Sequence, residues 1–215
     1  MNTVYYFWIK IDYMSIKERR ERDKEEMRAK ILDSAHKLFI DKGFEEVSIR
    51  NIAEAIEYSP ATIYLYFKDK DEIFYVIHQE AFRRYNEFNS ALPGIADPFQ
   101  RLVSMGERYM EFSQRFPQYY NIMFLTESPM HCYDNTEEWK EGAIAHSFLE
   151  STVIECIEAG YLKKVDPKVL ALTIWSYMHG ICSLSIRERM KIYPEEMRGP
   201  LMKDSFELFV KLLTK

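Results

Sequence analysis

The chain has 215 residues, of which 47% are hydrophobic and 29% are charged. That balance excludes an intrinsically disordered chain, and the low counts of 7 Gly and 8 Pro exclude a β protein with many tight turns. The formal net charge of −5 argues against a protein that binds nucleic acid through an overall positive charge. The three cysteines are odd in number and lack a metal-binding spacing, so reduced thiols in a cytoplasmic protein are expected.

Residues 1–16 are expected to form a leader of uncertain order. Their apolar run, from Val4 to Ile9, is too short for the core of a signal peptide and for a membrane span. Translation that starts at Met14 is the alternative interpretation of this segment. The sequence predicts no association with a membrane.

Three helices are predicted between residues 17 and 70. Apolar residues from Ile31 to Phe39 recur at helical spacing, and Gly43 follows where a helix C-terminus favours a residue that tolerates positive φ. Ser48 and Ser59 each precede a further short apolar pattern as N-caps. These residues therefore predict a three-helix domain over 17–70.

The rest of the chain, 71–215, predicts a larger helical domain. Its predicted helices run from Asp71 to about Ala91, from Asp97-Pro98 to Phe116, from a restart at Pro117, from a Thr136 cap to about Gly160, from Asp166-Pro167 to about Arg189, and from about Glu195 to Leu213. No strand alternation and no internal repeat is present. The predicted fold class is all-α, with about nine helices.

The second and third helices are joined by a turn of three or four residues, which is typical of a helix-turn-helix. In that motif the second helix of the pair enters the DNA major groove by its N-terminal end. Ile63 and Phe67 are four residues apart and would face the core. The neighbouring Tyr64, Leu65 and Tyr66 would then face DNA.

The chemistry of these side chains fits that arrangement. Hydroxyl groups can donate to phosphate oxygens, and apolar groups can meet a thymine methyl. A capped helix start offers free backbone N–H groups to a phosphate. The predicted DNA-contacting residues are Ser48, Arg50, Ser59, Pro60, Ala61, Thr62, Tyr64, Leu65, Tyr66 and Lys70.

The charge of this domain opposes that interpretation. Residues 17–72 contain 12 Lys and Arg against 14 Asp and Glu. Hydroxyl groups and helix N-termini supply phosphate contacts without side-chain charge, so weak nonspecific binding with a modest salt dependence is expected. A neutral helical module that binds another protein is the alternative.

The stretch "AKILDSAHKLFIDKGFEEVSIRNIAEAIEYSPATIYLYFKDKDEIF" resembles the N-terminal domain of TetR-type transcriptional repressors. The resemblance implies DNA contacts from Ser48, Arg50, Thr62, Tyr64, Tyr66 and Lys70. Two positions differ from the usual family pattern. Glu57-Tyr58 stands where the family usually has Gly-Val, and Ala61 stands where it often has Gly.

The C-terminal region contains a second, shorter resemblance. Trp175, His179 and Gly180 are similar to the Trp-x-x-x-His-Gly (WHG) signature of one C-terminal subgroup of this family. Met and aromatic side chains together favour an adaptable apolar pocket, with His179 as its polar anchor. The predicted ligand-binding residues are Tyr109, Phe112, Tyr120, Met123, Phe124, Trp175, Met178, His179 and Cys182. Packing in the core or in a dimer interface is the alternative for each of them.

The family resemblance implies a ligand-responsive repressor that binds a palindromic DNA operator as a homodimer. The last two helices would form the dimer interface, and a small, partly apolar effector would release the DNA. The helix that begins at Asp71 would transmit the change. An activator or an architectural DNA-binding protein without an effector is one alternative, and an enzyme that uses the helical pocket is another. No Ser/His/Asp set, phosphate loop or metal-ligand cluster is present in the sequence, so no enzyme activity, metal or cofactor is expected.

Overall fold

The computed structural model describes residues 16–126 and 140–214. These residues contain nine α-helices and no strand: α1 Ile16–Lys42, α2 Ile49–Ala55, α3 Pro60–Tyr64, α4 Lys70–Phe88, α5 Pro98–Arg115, α6 Pro117–Tyr120, α7 Lys140–Glu158, α8 Pro167–Ile186 and α9 Glu195–Leu213. The predicted all-α fold class is confirmed. Thr136, the predicted cap of the long helix that ends near Gly160, lies outside the described residues.

The described chain divides into two compact units between Phe74 and Tyr75, which places the boundary inside α4. The first unit contains α1, α2 and α3. Its core includes one buried face of α1, where Phe39 packs on Phe44 with ring centroids 5.4 Å apart. Phe74 closes the cluster, 4.9 Å from Phe44 in an edge-to-face arrangement. Aromatic rings at this spacing stabilise the core beyond their buried area.

Both predicted serine caps are confirmed. Ser48 accepts a hydrogen bond from the backbone N–H of Asn51, and the Asn51 side chain accepts one from the backbone N–H of Ser48. Ser59 accepts a hydrogen bond from the backbone N–H of Thr62 at 3.3 Å, with Pro60 in the first turn of α3. The caps satisfy N–H groups that have no partner within the helix, so they fix where α2 and α3 begin.

The turn between α2 and α3 is left-handed at Glu57, whose φ is 63°. The backbone N–H of the next residue, Tyr58, donates to the carbonyl of Ala53 at 2.9 Å. TetR-type proteins usually have glycine where this chain has Glu57, and a side chain in this conformation is strained. The chain therefore keeps the tight turn at an energetic cost.

The second unit is built around α5, α7 and α8, with α9 packed against α5. Asp97 caps α5 and Asp166 caps α8, through backbone N–H donors at 2.7 and 2.8 Å. The buried side chain of Arg101 on α5 donates to Glu155 on α7 at 2.5 Å and to the carbonyl of Ile95 at 2.7 Å. A paired and hydrogen-bonded guanidinium at this depth ties α7 to α5.

Helix α8 is long and apolar enough to cross a membrane by length and composition, with a mean hydropathy of 1.5 over 18 residues. The core helices of soluble proteins meet the same two criteria. Three of its apolar side chains, those of Val169, Leu172 and Leu184, are exposed on the single chain. These three side chains define an exposed apolar face of α8.

Candidate functional sites

Helix α3 and the residues that directly follow it, Leu65 to Phe67, point their side chains in different directions. Ile63 and Phe67 are buried, at 0% and 2% exposure, whereas Tyr64 and Leu65 are 57% and 77% exposed. Pro60 and Ala61 are exposed as well, and Thr62 and Tyr66 are partly buried. An exposed Leu and an exposed Tyr side by side leave apolar surface in contact with water on this face of the first unit.

The N-terminal end of α3 is polar. The hydroxyl groups of Ser59 and Thr62 lie 3.1 Å apart, and either can donate to the other. Each hydroxyl keeps a lone pair or a proton for an outside partner. The cap of α2 is also exposed at Ser48, which places two capped helix starts in the same unit.

The basic residues predicted to contact DNA differ in their surroundings. Arg50 is exposed and pairs with Glu54 at 2.9 Å, so a phosphate would have to compete with that carboxylate. Lys70 is partly buried, and its ammonium group donates to the carbonyl of Phe44 at 2.8 Å. Exposed ion pairs contribute little to stability, which leaves Arg50 the more available of the two cations.

Two basic residues of α1 support this region, and no sequence pattern predicted them. Arg28 lies 4.3 Å from the centroid of the Phe67 ring and donates to the carbonyl of Tyr66 at 3.1 Å. Lys30 donates to the carbonyl of Ile56 at 3.2 Å and lies over the ring of Tyr58. Carbonyls at helix C-termini attract cations, so both contacts hold helix ends in place.

The second unit contains an apolar cavity that is partly open to solvent. Side chains from α4, α5, α7 and α8 and from the π-helical segment Asn121–Leu125 form its wall. The lining residues are Phe82, Tyr85, Leu102, Met105, Gly106, Tyr109, Phe124, Gly142, Ala145, His146, Leu149, Ile174, Trp175 and Met178. A concave apolar cavity with few polar groups is the usual form of a small-molecule site.

Four of the predicted ligand-binding residues line this cavity, namely Tyr109, Phe124, Trp175 and Met178. The other five do not line it. Phe112, Tyr120, Met123 and Cys182 are buried elsewhere in the second unit, and His179 is partly buried. These five residues pack in or against the core of the second unit, which was the alternative to ligand binding for each of them.

Two of those residues belong to a chain of polar contacts within the core. The hydroxyl of Tyr120 lies 3.3 Å from the hydroxyl of Tyr109 and 3.0 Å from Nδ1 of His179. Nε2 of His179 lies 3.3 Å from the hydroxyl of Ser183. Burial lowers the pKa of His179 and raises the pKa of Tyr120. Both ring nitrogens of His179 thus have partners inside the protein, and burial disfavours the charged form of its imidazole.

His146, on α7, lies in the cavity wall instead. Its ring centroid is 6.0 Å from that of Trp175 in an edge-to-face arrangement. Gly142, Ala145, His146 and Leu149 recur at i, i+3, i+4 and i+7, so one face of α7 forms this wall. That spacing was present in the sequence and could have identified the face.

Neither metal binding nor reactive thiols are supported by the described residues. Within residues 16–126 and 140–214, no three His, Cys, Asp or Glu side chains converge as a metal site would require. Cys156 and Cys182 are buried, and burial raises the pKa of each thiol to about 11. Cys132 and His131 lie outside the described residues.

Sequence families match both units. Residues 31–76 match the family described as bacterial regulatory proteins, tetR family, and residues 102–213 match the family described as tetracyclin repressor-like, C-terminal domain. The HTH-type transcriptional regulator HbdR of Aromatoleum sp. (strain CIB) is 24% identical over 157 residues, which cover 72% of this chain and 68% of that protein. The HTH-type transcriptional regulator SAUSA300_2515 of Staphylococcus aureus (strain USA300) is 38% identical over 58 residues, or 27% of this chain and 31% of that protein.

Solved structures share the fold. The fatty acid degradation regulator FadR from Bacillus halodurans has a TM-score of 0.66 at 19% identity, over 85% of this chain and 94% of that chain. AibR in complex with isovaleryl coenzyme A and operator DNA has a TM-score of 0.66 at 21% identity, over 87% of this chain and 97% of that chain. At these identities the similarity shows a common fold.

Proposed function

The chain belongs to the TetR family of DNA-binding transcriptional regulators, and we propose that it is a cytoplasmic repressor that binds a palindromic operator as a homodimer. A small, largely apolar effector in the cavity of the second unit would release it from DNA. The observation that carries the proposal is the exposed pair Tyr64 and Leu65 at the C-terminal end of α3, next to the buried Ile63.

DNA contact by α3 follows from that pair and from the polar helix start. Tyr64 supplies a hydroxyl for a phosphate, and Leu65 supplies an apolar group for a thymine methyl. The hydroxyls of Ser59 and Thr62 at the start of α3, and the exposed Arg50 of α2, are further phosphate donors in the same unit. Because α3 contains no charged side chain, its binding depends on fit and hydrogen bonds more than on net charge.

A homodimer is supported by the exposed apolar face of α8. Val169, Leu172 and Leu184 would leave apolar surface in water on a single chain, and a twofold copy of the same face would cover it. Exposed Leu208 and Leu212 on α9 extend the apolar surface available for such an interface. Two α3 helices related by a twofold axis then suit a palindrome with half-sites one DNA turn apart.

An effector site in the cavity is supported by the lining and by a fold neighbour. AibR has been solved with both isovaleryl coenzyme A and operator DNA, so this fold combines the two kinds of ligand. Phe82 and Tyr85 of α4 belong to the cavity wall, and α4 begins at Lys70. A ligand that favours a different position of α4 would shift the population away from the DNA-binding state.

The proposal is tested by selecting bound sequences from random duplex DNA with the purified protein, followed by footprinting upstream of its own gene. A selected palindrome that is protected in the footprint is the expected result. Leu65→Asp should abolish protection, whereas Ile192→Asp, the same change at another exposed apolar residue, should preserve it. Selection of no palindrome would contradict the repressor role, and binding without sequence preference would favour an architectural protein.

The dimer is tested separately by sedimentation. Leu172→Lys places a charge on the exposed face of α8 and should shift the protein toward the monomer, because an unpaired buried charge opposes association. Ile192→Lys serves as the control at a site outside α8 and α9. A monomeric wild-type protein at micromolar concentration would contradict the proposed interface.

A further inference from the structure

We propose that the cavity of the second unit takes an uncharged ring compound whose hydrogen-bonding group meets the imidazole of His146. The inference rests on the proposed role of this cavity as an effector site, and it adds the chemical class of the ligand. It also assigns the polar anchor of the ligand to His146 on α7, whereas the sequence pattern favoured His179 on α8.

The absence of charge in the wall sets the first property of the ligand. Among the described residues that line the cavity, none is Lys, Arg, Asp or Glu. A carboxylate, phosphate or ammonium group entering this space would lose its hydration and gain no partner of opposite charge. An ionised compound should therefore bind more weakly than a neutral compound of the same size.

The shape of the wall sets the second property. Gly142 and Ala145 leave room along α7, while rings of Phe124, Trp175 and Tyr109 form other parts of the wall. Phe124 and Trp175 meet edge to face with their centroids 6.3 Å apart. Small residues beside aromatic rings make a site that a flat ring fills, since it can contact ring faces and edges together.

The polar groups at the cavity set the third property. The hydroxyl of Tyr109 is next to that of Tyr120, and the phenol of Tyr85 has Asn89 as a partner. His146 has no hydrogen-bond partner among the residues that the structure describes, although it is only partly exposed. A neutral imidazole can donate from one nitrogen and accept at the other, so it can pair with a hydroxyl, carbonyl or ring nitrogen of the ligand.

The test compares three probes of one ring system at neutral pH, measured by equilibrium dialysis against the full-length protein. The probes are naphthalene, 2-naphthol and 2-naphthoate. Wild-type protein should bind 2-naphthol about three- to tenfold more tightly than naphthalene, because one added hydrogen bond is worth that factor. It should bind 2-naphthoate at least about tenfold more weakly than 2-naphthol.

Two variants assign the preference to one residue. His146→Phe should bind naphthalene and 2-naphthol equally, whereas His146→Gln, which keeps a donor and an acceptor, should retain part of the preference. His146→Gln also covers the case in which the larger ring prevents folding. Equal or tighter binding of 2-naphthoate, an unchanged preference in His146→Phe, or no binding of any probe would overturn the inference.

A third variant locates the probes. Ala145→Phe fills the cavity wall and should abolish binding of all probes, whereas Ile144→Phe, on the neighbouring exposed position of α7, should leave binding unchanged. Operator binding is measured on ligand-free protein in a separate experiment. Failure to bind DNA would contradict the regulator role, while the dialysis results would still decide the ligand class.

Discussion

The ammonium group of Lys70 lies 2.8 Å from the carbonyl oxygen of Phe44 and 4.1 Å from the centroid of the same residue's ring. Both contacts fall within the first unit and hold the start of α4 against the loop after α1. A lysine predicted from the sequence to contact a phosphate therefore has a structural role as well.

Replacing Lys70 should reduce stability even without DNA. Lys70→Met removes a charged hydrogen bond and a cation–π contact, so the free energy of unfolding should fall by about 1–2 kcal/mol. Lys68→Met is the control, since the Lys68 side chain is 86% exposed and should change stability by less than about 0.5 kcal/mol. Urea denaturation measures both, and equal effects would contradict the structural role.

The hydroxyl of Tyr64 should contribute to operator affinity. Tyr64→Phe keeps the ring and removes only the oxygen, so affinity should fall by about two- to tenfold, the range of one hydrogen bond. Fluorescence anisotropy with the selected operator measures the change. Tyr193→Phe removes a hydroxyl from an exposed tyrosine of the second unit and should have no effect. Retained affinity in Tyr64→Phe would show that the hydroxyl makes no contact.

The left-handed turn offers a way to stabilise the first unit. Glu57→Gly should raise the free energy of unfolding by about 1 kcal/mol, because glycine adopts a φ of 63° without strain. Glu57→Gln removes the charge but keeps the Cβ atom, so its stability should match the wild type. A gain in both variants would assign the effect to charge instead of backbone conformation.

Close packing of α5 against α9 depends on Gly106. A Cβ atom at this position would lie 2.5 Å from two ring carbons of Phe206. Gly106→Ala should therefore cost about 1–3 kcal/mol of stability, as overpacked cores do. Gly199→Ala, in α9 with no atom near the added methyl group, should be neutral or slightly stabilising. Thermal denaturation compares the two, and a stable Gly106→Ala would contradict the close approach.

Acid should destabilise the second unit through His78. Burial lowers the pKa of His78 from 6.5 to about 4, outweighing a hydrogen bond with the backbone of Met123 that raises it. His78 therefore binds a proton below about pH 6.5 in the unfolded chain, but only below about pH 4 in the folded chain. Stability should be full above pH 6.5 and should fall by about 3 kcal/mol across that window.

His78→Phe should flatten this pH profile when unfolding is followed by urea titration. A smaller slope should remain, because burial also lowers the pKa of His179. An unchanged slope in the variant would show that His78 does not cause the acid sensitivity.

Local sequence patterns predicted the helices and their starts. Ser48, Ser59, Asp97 and Asp166 all accept the backbone hydrogen bonds expected of N-caps. Caps depend on a few neighbouring residues, so they can be predicted without knowing what the helix packs against. The same locality explains why the division of α3 into buried Ile63 and exposed neighbours followed from spacing.

The cavity wall was predicted only in part, because it depends on which helix faces pack together. Helical periodicity placed Trp175, Met178 and His179 on one face of α8. It could not show that the hydroxyls of Tyr120 and Ser183 contact the two ring nitrogens of His179. The spacing of residues 142, 145, 146 and 149 marks one face of α7 in the sequence, but the cavity that this face lines depends on its packing partners. The WHG subgroup, the operator contacts and the dimer face stay predictions.

The burial of Cys156 and Cys182 has a consequence for how the protein can sense its surroundings. With a pKa of about 11, each thiol is ionised in roughly one molecule in ten thousand at neutral pH. Peroxides and electrophiles react with exposed thiolates, so we expect neither of these two buried cysteines to react readily with an oxidant. The response proposed for the cavity therefore needs no thiol chemistry, and it ends when the ligand dissociates.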